Sequence, residues 1–147
     1  MKAVILQPSY IAWRGYFDQI RRADVFVFYD DVQYDKRGWR NRNRIKTAQG
    51  SQWLTIPVLA RGAQTQQIAL CDIRICWDED WAAAHWKTIR MAYAKAPYFR
   101  NYAERVEALY ASRPQFLADF TISSSIQLAE WLGLGEKRFL RSSELEG

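Results

Sequence analysis

Histidine is nearly absent from this 147-residue chain: there is one, His85, beside two cysteines. So small a stock of metal-binding side chains offers no convincing transition-metal site, and no Ser-His-Asp arrangement can be assigned from it. Cys71 and Cys76 match no common zinc or redox spacing. On one extended strand they would point to opposite faces, so both read as small apolar residues rather than a disulfide. No apolar run approaches the roughly 20 residues of a membrane helix. The opening MKAVILQPSY is too short an apolar burst for a signal peptide, and the cytoplasm is the default location. Neither a P-loop nor GxGxxG is present, and there are no internal repeats, low-complexity segments or linkers. What is present is enough chain for one domain with one core. Its 49% apolar and 15% aromatic content is too rich for disorder.

The charge is unevenly spread. Residues 1–50 carry ten basic and five acidic side chains, and residues 51–147 carry eleven of each, so the whole formal charge of +5 sits in the first third. The stretch from Lys36 to Lys46, within DKRGWRNRNRIK, supplies six cations and no acid. A local excess of this kind points to a site for an anion rather than to a generally adhesive surface.

Residues 2–6 read as a buried strand, residues 13–22 as a helix with Trp13, Tyr16, Phe17 and Ile20 on one face, and residues 24–29 (DVFVFY) as a second strand. Strand, helix, strand is a βαβ unit with parallel strands. The basic segment follows, then a strand over residues 52–58, with turn chemistry in TAQGSQ between them, so the pair is expected to form a hairpin. Residues 66–76 (QQIALCDIRIC) read as a further strand. Asp78 is expected to cap a helix that runs to about Ala94 and ends before Pro97. A second helix covers residues 98–110, and a third starts at Ser112 and Pro114 and ends near Gly133. Residues 137–141 (KRFLR) read as a short strand. The expected fold is α/β, Rossmann-like, with a parallel core sheet, an N-terminal βαβ unit, a β-hairpin excursion and a helical second half.

If residues 39–46 are extended, Arg40, Arg42, Arg44 and Lys46 share one face and Trp39, Asn41, Asn43 and Ile45 the other. Arginine's planar fork suits phosphate and carboxylate, and asparagine adds donors and acceptors for hydroxyls or a base edge. Three readings of the basic face stand: a solvated strand edge, a nucleic-acid clamp, or a cradle for a small anion. The run is one short segment, the remaining helices are charge-balanced and no nucleic-acid motif occurs, which disfavours the clamp.

The turn after the first strand carries Gln7 and Tyr10, and in open parallel sheets ligands bind in that crevice, beside a helix N-terminus that favours anions. Asp30 and Asp31 end the second strand and fall in the same crevice, followed by Gln33; they hold a loop by ion pairing, or bind a metal, or act on a substrate proton, with Asp31 the stronger candidate. His85 lies on the stripe Trp81, His85, Ile89, Tyr93. That is the pattern of a core histidine, or of a proton shuttle where the stripe reaches the crevice.

The stretch QPSYIAWRGYFDQIRRADVFVFYDDVQYDKRGWRNRNRIK resembles the opening of the WbqC-like family of bacterial proteins, with its pattern QPxYxPWxGYF, then DxFVxxDDVQY, then tryptophan and NRN. The matching residues are Gln7, Pro8, Tyr10, Trp13, Gly15, Tyr16 and Phe17, then Asp24 to Tyr34, then Trp39, Asn41, Arg42 and Asn43. The resemblance extends through residues 85–99, 116–134 and 138–145. It departs at Leu6 and Ala12, where members often have histidine and proline. A faint likeness of the turn to nucleotidylyltransferases supports the fold more than the reaction. Members commonly continue past the SSEL stretch, so the chain is expected to be a single family domain over 1–147, shortened at its C-terminus, with an exposed sheet edge that favours self-association.

The resemblance implies a role in surface-polysaccharide or glycolipid precursor metabolism, handling a sugar nucleotide or a related phosphorylated amino-sugar intermediate. It leaves a transferase and a non-catalytic binding module both open, and it names no cofactor. On that reading Arg42 with Arg40 or Lys46 grips a diphosphate. Asn41, Asn43 and Gln33 fix sugar or base groups, Gln7 and Tyr10 line the helix N-terminus, and Asp31 or His85 moves a proton.

Overall fold

The computed structural model describes residues 1–60 and 67–146. Its first strand, β1 (Ala3–Leu6), turns Val4 and Leu6 inward and leaves Ala3 and Ile5 exposed, as an edge strand covered on one face does. The amphipathic helix α1 (Arg14–Arg22) buries Tyr16 and Ile20. The aromatic strand β2 (Val25–Phe28) is buried along its whole length, as a strand with neighbours on both edges and covers on both faces must be. Its partners are β1 on one side and, on the other, β5 (Arg138–Arg141), both parallel, in the order β1-β2-β5. Leu6, Phe28 and Arg141 stand level in this register. The chain therefore leaves all three strands along one edge, at Gln7, Tyr29 and Ser142.

The expected hairpin is present as β3 (Arg42–Thr47) and β4 (Gly50–Thr55), paired antiparallel. Its turn is short, and Gly50 takes φ +104°, left-handed backbone that glycine tolerates best. Residues 66–76 are not the strand that their alternation suggests. Gln66 lies outside the described residues, Leu70–Asp72 form a 3-10 turn, and only single bridges pair Gln33 with Ala69, Val58 with Ile75 and Arg74 with Phe116. The apolar members Leu70, Ile73 and Ile75 are buried all the same, packed by a folded-over segment instead of a ladder. Cys71 and Cys76 are free thiols.

The second half is helical: α2 (Trp81–Tyr93), α3 (Phe99–Ala111) and α4 (Leu117–Trp131). The cap of α2 is Asp80, whose carboxylate accepts from Ala83 N–H, rather than Asp78. Gly133, at φ +81°, follows the end of α4. Two apolar clusters meet at α4. Leu117 and Phe120 join the group around the hairpin, α2 and α3, while Ala118, Ile122 and Ala129 join the group between the sheet and α1. A helix with apolar residues on both sides is buried on both sides, and α4 is what fixes the hairpin region against the sheet. No described helix is long and apolar enough to cross a membrane.

Candidate functional site

The segment between β2 and β3 returns to the turn between β1 and α1 and is tied to it at several points. Tyr10 N–H donates to the Trp39 carbonyl (3.1 Å), Arg40 Nη1 donates to the Pro8 carbonyl (3.0 Å), and Asn43 Nδ2 donates to the carbonyls of Tyr10 (3.1 Å) and Ile11 (2.6 Å). These ties enclose a strained backbone: Ile11 has φ +45°, a conformation that a β-branched residue adopts only under constraint. The Asn43 amide is fully engaged here, because its Oδ1 also accepts from Arg44 N–H.

Between the turn, α1 and the root of the hairpin lies a cavity of about 540 Å³, lined by Leu6, Gln7, Ser9, Ala12, Trp13, Tyr16, Gln19, Trp39, Arg40 and Asn43. Arg40 is the one charged residue in its described lining. It is half-buried, and among the described residues it makes no ion pair. Burial lowers its pKa from the usual guanidinium value, while Tyr16 and Asp35 nearby act the other way. Gly15 is required by Trp13: a Cβ there would fall 2.0 Å from the indole. Trp13 therefore lies against the first turn of α1 and forms part of the cavity wall.

The alternation expected for residues 39–46 holds from Arg42 onward and breaks before it. Asn43 and Ile45 face inward, and Arg44 and Lys46 are exposed. Residues 38–41 bend, which turns Arg40 into the cavity and Trp39 outward against Trp53, ring centroids 5.5 Å apart and planes at 17°. Arg42 stays outside with its guanidinium 4.8 Å above the Trp53 ring, and Nη2 donates to the Arg37 carbonyl (3.3 Å). Asn41 is buried, with Nδ2 on the Ile56 carbonyl at 2.9 Å. It borders a separate space with Tyr34 and Lys36.

Further along the same sheet edge the polar groups are saturated. Asp30, wholly buried, accepts from Arg141 Nε (2.8 Å), Ser143 N–H (2.9 Å) and Ser143 Oγ (2.9 Å), and Arg141 Nη1 donates to Asp119 at 2.6 Å. Burial works to raise the Asp30 pKa, but these hydrogen bonds and the guanidinium outweigh it and hold the carboxyl below its usual value. Asp31 is exposed, its Oδ1 2.5 Å from the Ser142 hydroxyl.

Tyr10 points away from the cavity into the core. Its hydroxyl bonds to His85 Nδ1 (2.8 Å) and to the Tyr110 hydroxyl (2.5 Å). Burial depresses the His85 pKa to about 4, against a smaller opposing effect from its hydrogen bond to the Thr55 backbone. The imidazole is therefore neutral, and burial first, then Tyr110, raises the Tyr10 phenol. Tyr10 and Tyr110 border an apolar cavity of about 210 Å³ on this side.

The sequence profile of the WbqC-like protein family matches residues 7–147, which takes in the turn, α1, the hairpin root and the Asp30–Arg141 network alike. The chain belongs to the WbqC-like protein family. An uncharacterized protein of Mycobacterium tuberculosis, Rv1507c, is 48% identical over 111 residues, which is 74% of this chain and 46% of that protein. The retrovirus-related Pol polyprotein from type-1 retrotransposable element R2 of Popillia japonica is 30% identical over 91 residues, 61% of this chain and 20% of that polyprotein. The chain thus spans about half the length of the first relative and a fifth of the second. No solved structure matches.

Of the residues singled out from sequence, this WbqC-like chain brings Gln7, Arg40 and Asn43 to one cavity. Tyr10 and His85 meet each other behind it. Asp31 and Arg42 lie outside it, as do Asn41, the exposed Lys46, and Gln33, whose backbone bridges to Ala69. Sequence reasoning missed Arg141 as the partner of Asp30, Asp119 as the second partner of Arg141, and Tyr110 as the partner of Tyr10. Separations of 111 and 100 residues leave no local signal, although two adjacent acids at a strand end did call for a cation. Among the described residues no cluster of three His, Cys, Asp or Glu could hold a metal ion.

Proposed function

We propose that this chain binds a phosphorylated sugar, free or as a sugar nucleotide, in the cavity between the β1–α1 turn and the hairpin root, and that it serves surface-polysaccharide or glycolipid precursor metabolism. The observation that carries the binding reading is Arg40: a half-buried guanidinium in a concave site, hydrogen-bonded to a carbonyl and without a carboxylate partner among the described residues. A desolvated cation is stabilised by an anion, and a guanidinium matches phosphate with two parallel donors. Gln7, Ser9 and Gln19 offer amide and hydroxyl groups for sugar hydroxyls, and Trp13, Tyr16 and Trp39 offer aromatic walls. The metabolic setting comes from the family resemblance and not from the geometry.

Binding is better supported than transfer. Apart from the Tyr16 phenol, whose hydroxyl donates to the Gln7 carbonyl and whose pKa burial raises, the described lining of the cavity holds no carboxylate, imidazole, thiol or amine, the groups that general acid–base catalysis mostly uses within hydrogen-bond reach of the substrate. A transferase reading would have to draw its base from outside that lining, Asp31 included.

Calorimetric titration with UDP-sugars, dTDP-sugars and sugar 1-phosphates tests the proposal. Arg40→Gln is expected to weaken binding by about ten- to a hundredfold, the size of one lost charge-assisted hydrogen bond. Arg42→Ala leaves the binding of sugar 1-phosphates unchanged. Equal affinity in Arg40→Gln, or no binding of any phosphorylated sugar, overturns it. Single-turnover assays with the bound compound then separate a transferase from a module.

A further inference from the structure

The six cations between Lys36 and Lys46 do not act together. Arg40 alone lines the cavity, while Arg42 and Arg44 lie over the Trp53 ring at 4.8 and 5.3 Å. Arg44 is the cross-strand partner of Trp53, so the hairpin register itself places a cation over that indole. Trp53 in turn stacks on Trp39. Two guanidiniums and a second indole thus pack on Trp53, and Trp39, one of these partners, also borders the cavity beside Arg40. Trp39 is 46% exposed. Its ring is held by Trp53, and its carbonyl is held by Tyr10 N–H. A fixed, half-exposed aromatic surface next to a phosphate-competent arginine has the two parts from which nucleotide sites are built: a plane for the base and a cation for the phosphate.

We propose that Trp39 stacks the nucleobase of the ligand, with Trp53, Arg42 and Arg44 as positioning residues, so that the cavity takes nucleoside diphosphates and their sugars in preference to bare sugar phosphates. This rests on the reading of the cavity as a phosphate site. Size agrees: about 540 Å³ lies within the roughly 300–1,000 Å³ of pockets for drug-sized ligands, and a phosphorylated monosaccharide would leave much of it to water. Trp13 borders the same space from the α1 side and supplies a second aromatic wall. The inference also accounts for the basic run: its outward arginines order the tryptophans instead of meeting ligand.

The test is calorimetric titration of the chain with uridine, thymidine, guanosine, cytidine and adenosine diphosphates and with glucose 1-phosphate. At least one nucleoside diphosphate is expected to bind tenfold or more tightly than glucose 1-phosphate. Trp39→Ala is expected to weaken that binding by about ten- to a hundredfold and to change glucose 1-phosphate binding less than twofold. Trp39→Phe, which keeps a ring and guards against a folding defect, restores most of the loss. Trp53→Ala gives a smaller loss in the same direction. If glucose 1-phosphate binds as tightly as every diphosphate, or if Trp39→Ala weakens both classes equally, base stacking is wrong while the phosphate site stands. If none of the probes binds, or Arg40→Gln binds them all as wild type does, the phosphate site is wrong as well.

Discussion

Arg141 and Arg40 both reach the edge where the parallel strands end, in opposite circumstances. Arg141 is clasped by Asp30 and Asp119 at 2.8 and 2.6 Å. Burial acts to lower its pKa, but the two carboxylates outweigh burial and raise it. Arg40 meets a carbonyl, and burial leaves its pKa lowered. A guanidinium with two carboxylates has its charge compensated by the fold and fastens β5 to β2. A guanidinium with one carbonyl keeps donors free and, among the described residues, has no carboxylate in ion-pair contact, only Asp35 nearby. Basic residues read from sequence therefore divide by their partners, not by their spacing.

The largest expected effect separates these two arginines. Asp30→Asn should destabilise the chain by about 3 kcal/mol, because it breaks a buried pair and leaves Arg141 with one acid, whereas Arg40→Gln should stay within about 1 kcal/mol of wild type. Urea unfolding of both variants measures this, and equal losses would erase the contrast.

Acid should sharpen the same division. His85, neutral with a pKa near 4 when folded and near 6.5 when unfolded, contributes stability that is complete above about pH 6.5 and is lost as pH falls toward 4, up to about 3 kcal/mol. Asp30, depressed when folded, contributes stability present above the ordinary carboxylate value and lost only below it. Unfolding measured from pH 7 to 3 should decline in that order. His85→Phe should flatten the first decline and Asp30→Asn the second. A first decline unchanged in His85→Phe would assign it elsewhere.

The smallest effect belongs to the open side. Gly15→Ala removes a helix-weakening glycine but pushes Trp13 off its seat. Since that indole is 66% exposed, it can swing into solvent, and stability should move by less than about 1 kcal/mol. Ligand affinity should fall severalfold and tryptophan emission should shift. Unchanged affinity would remove Trp13 from the site.

Much of the fold was legible. The βαβ unit, the hairpin, the helices and the strand at 138–141 all follow from apolar periodicity, because each buries its own face. The stretch around Leu70 and Ile73 was not, since alternation records which residues are buried and not whether a ladder or a folded-over turn buries them. The candidate site was half legible. Gln7 and Arg40 share the cavity, but a bend at residues 38–41 exchanged the sides of Trp39 and Arg40, and a two-residue period cannot register a bend. Asn41 and Asn43 had the right chemistry for a sugar, yet backbone carbonyls took their Nδ2 donors. That competition depends on where Pro8 to Ile11 lie in space, and no sequence window contains both sides of it.

The forked contact from Asn43 to the carbonyls of Tyr10 and Ile11 has a mechanical consequence. It rivets the loop after the first strand to the base of the hairpin, so these two walls of the cavity behave as a single casting rather than as jaws. On the proposed binding reading a ligand meets a finished mould, spends little on ordering it, and should associate at a rate set by encounter rather than by the opening of a gate.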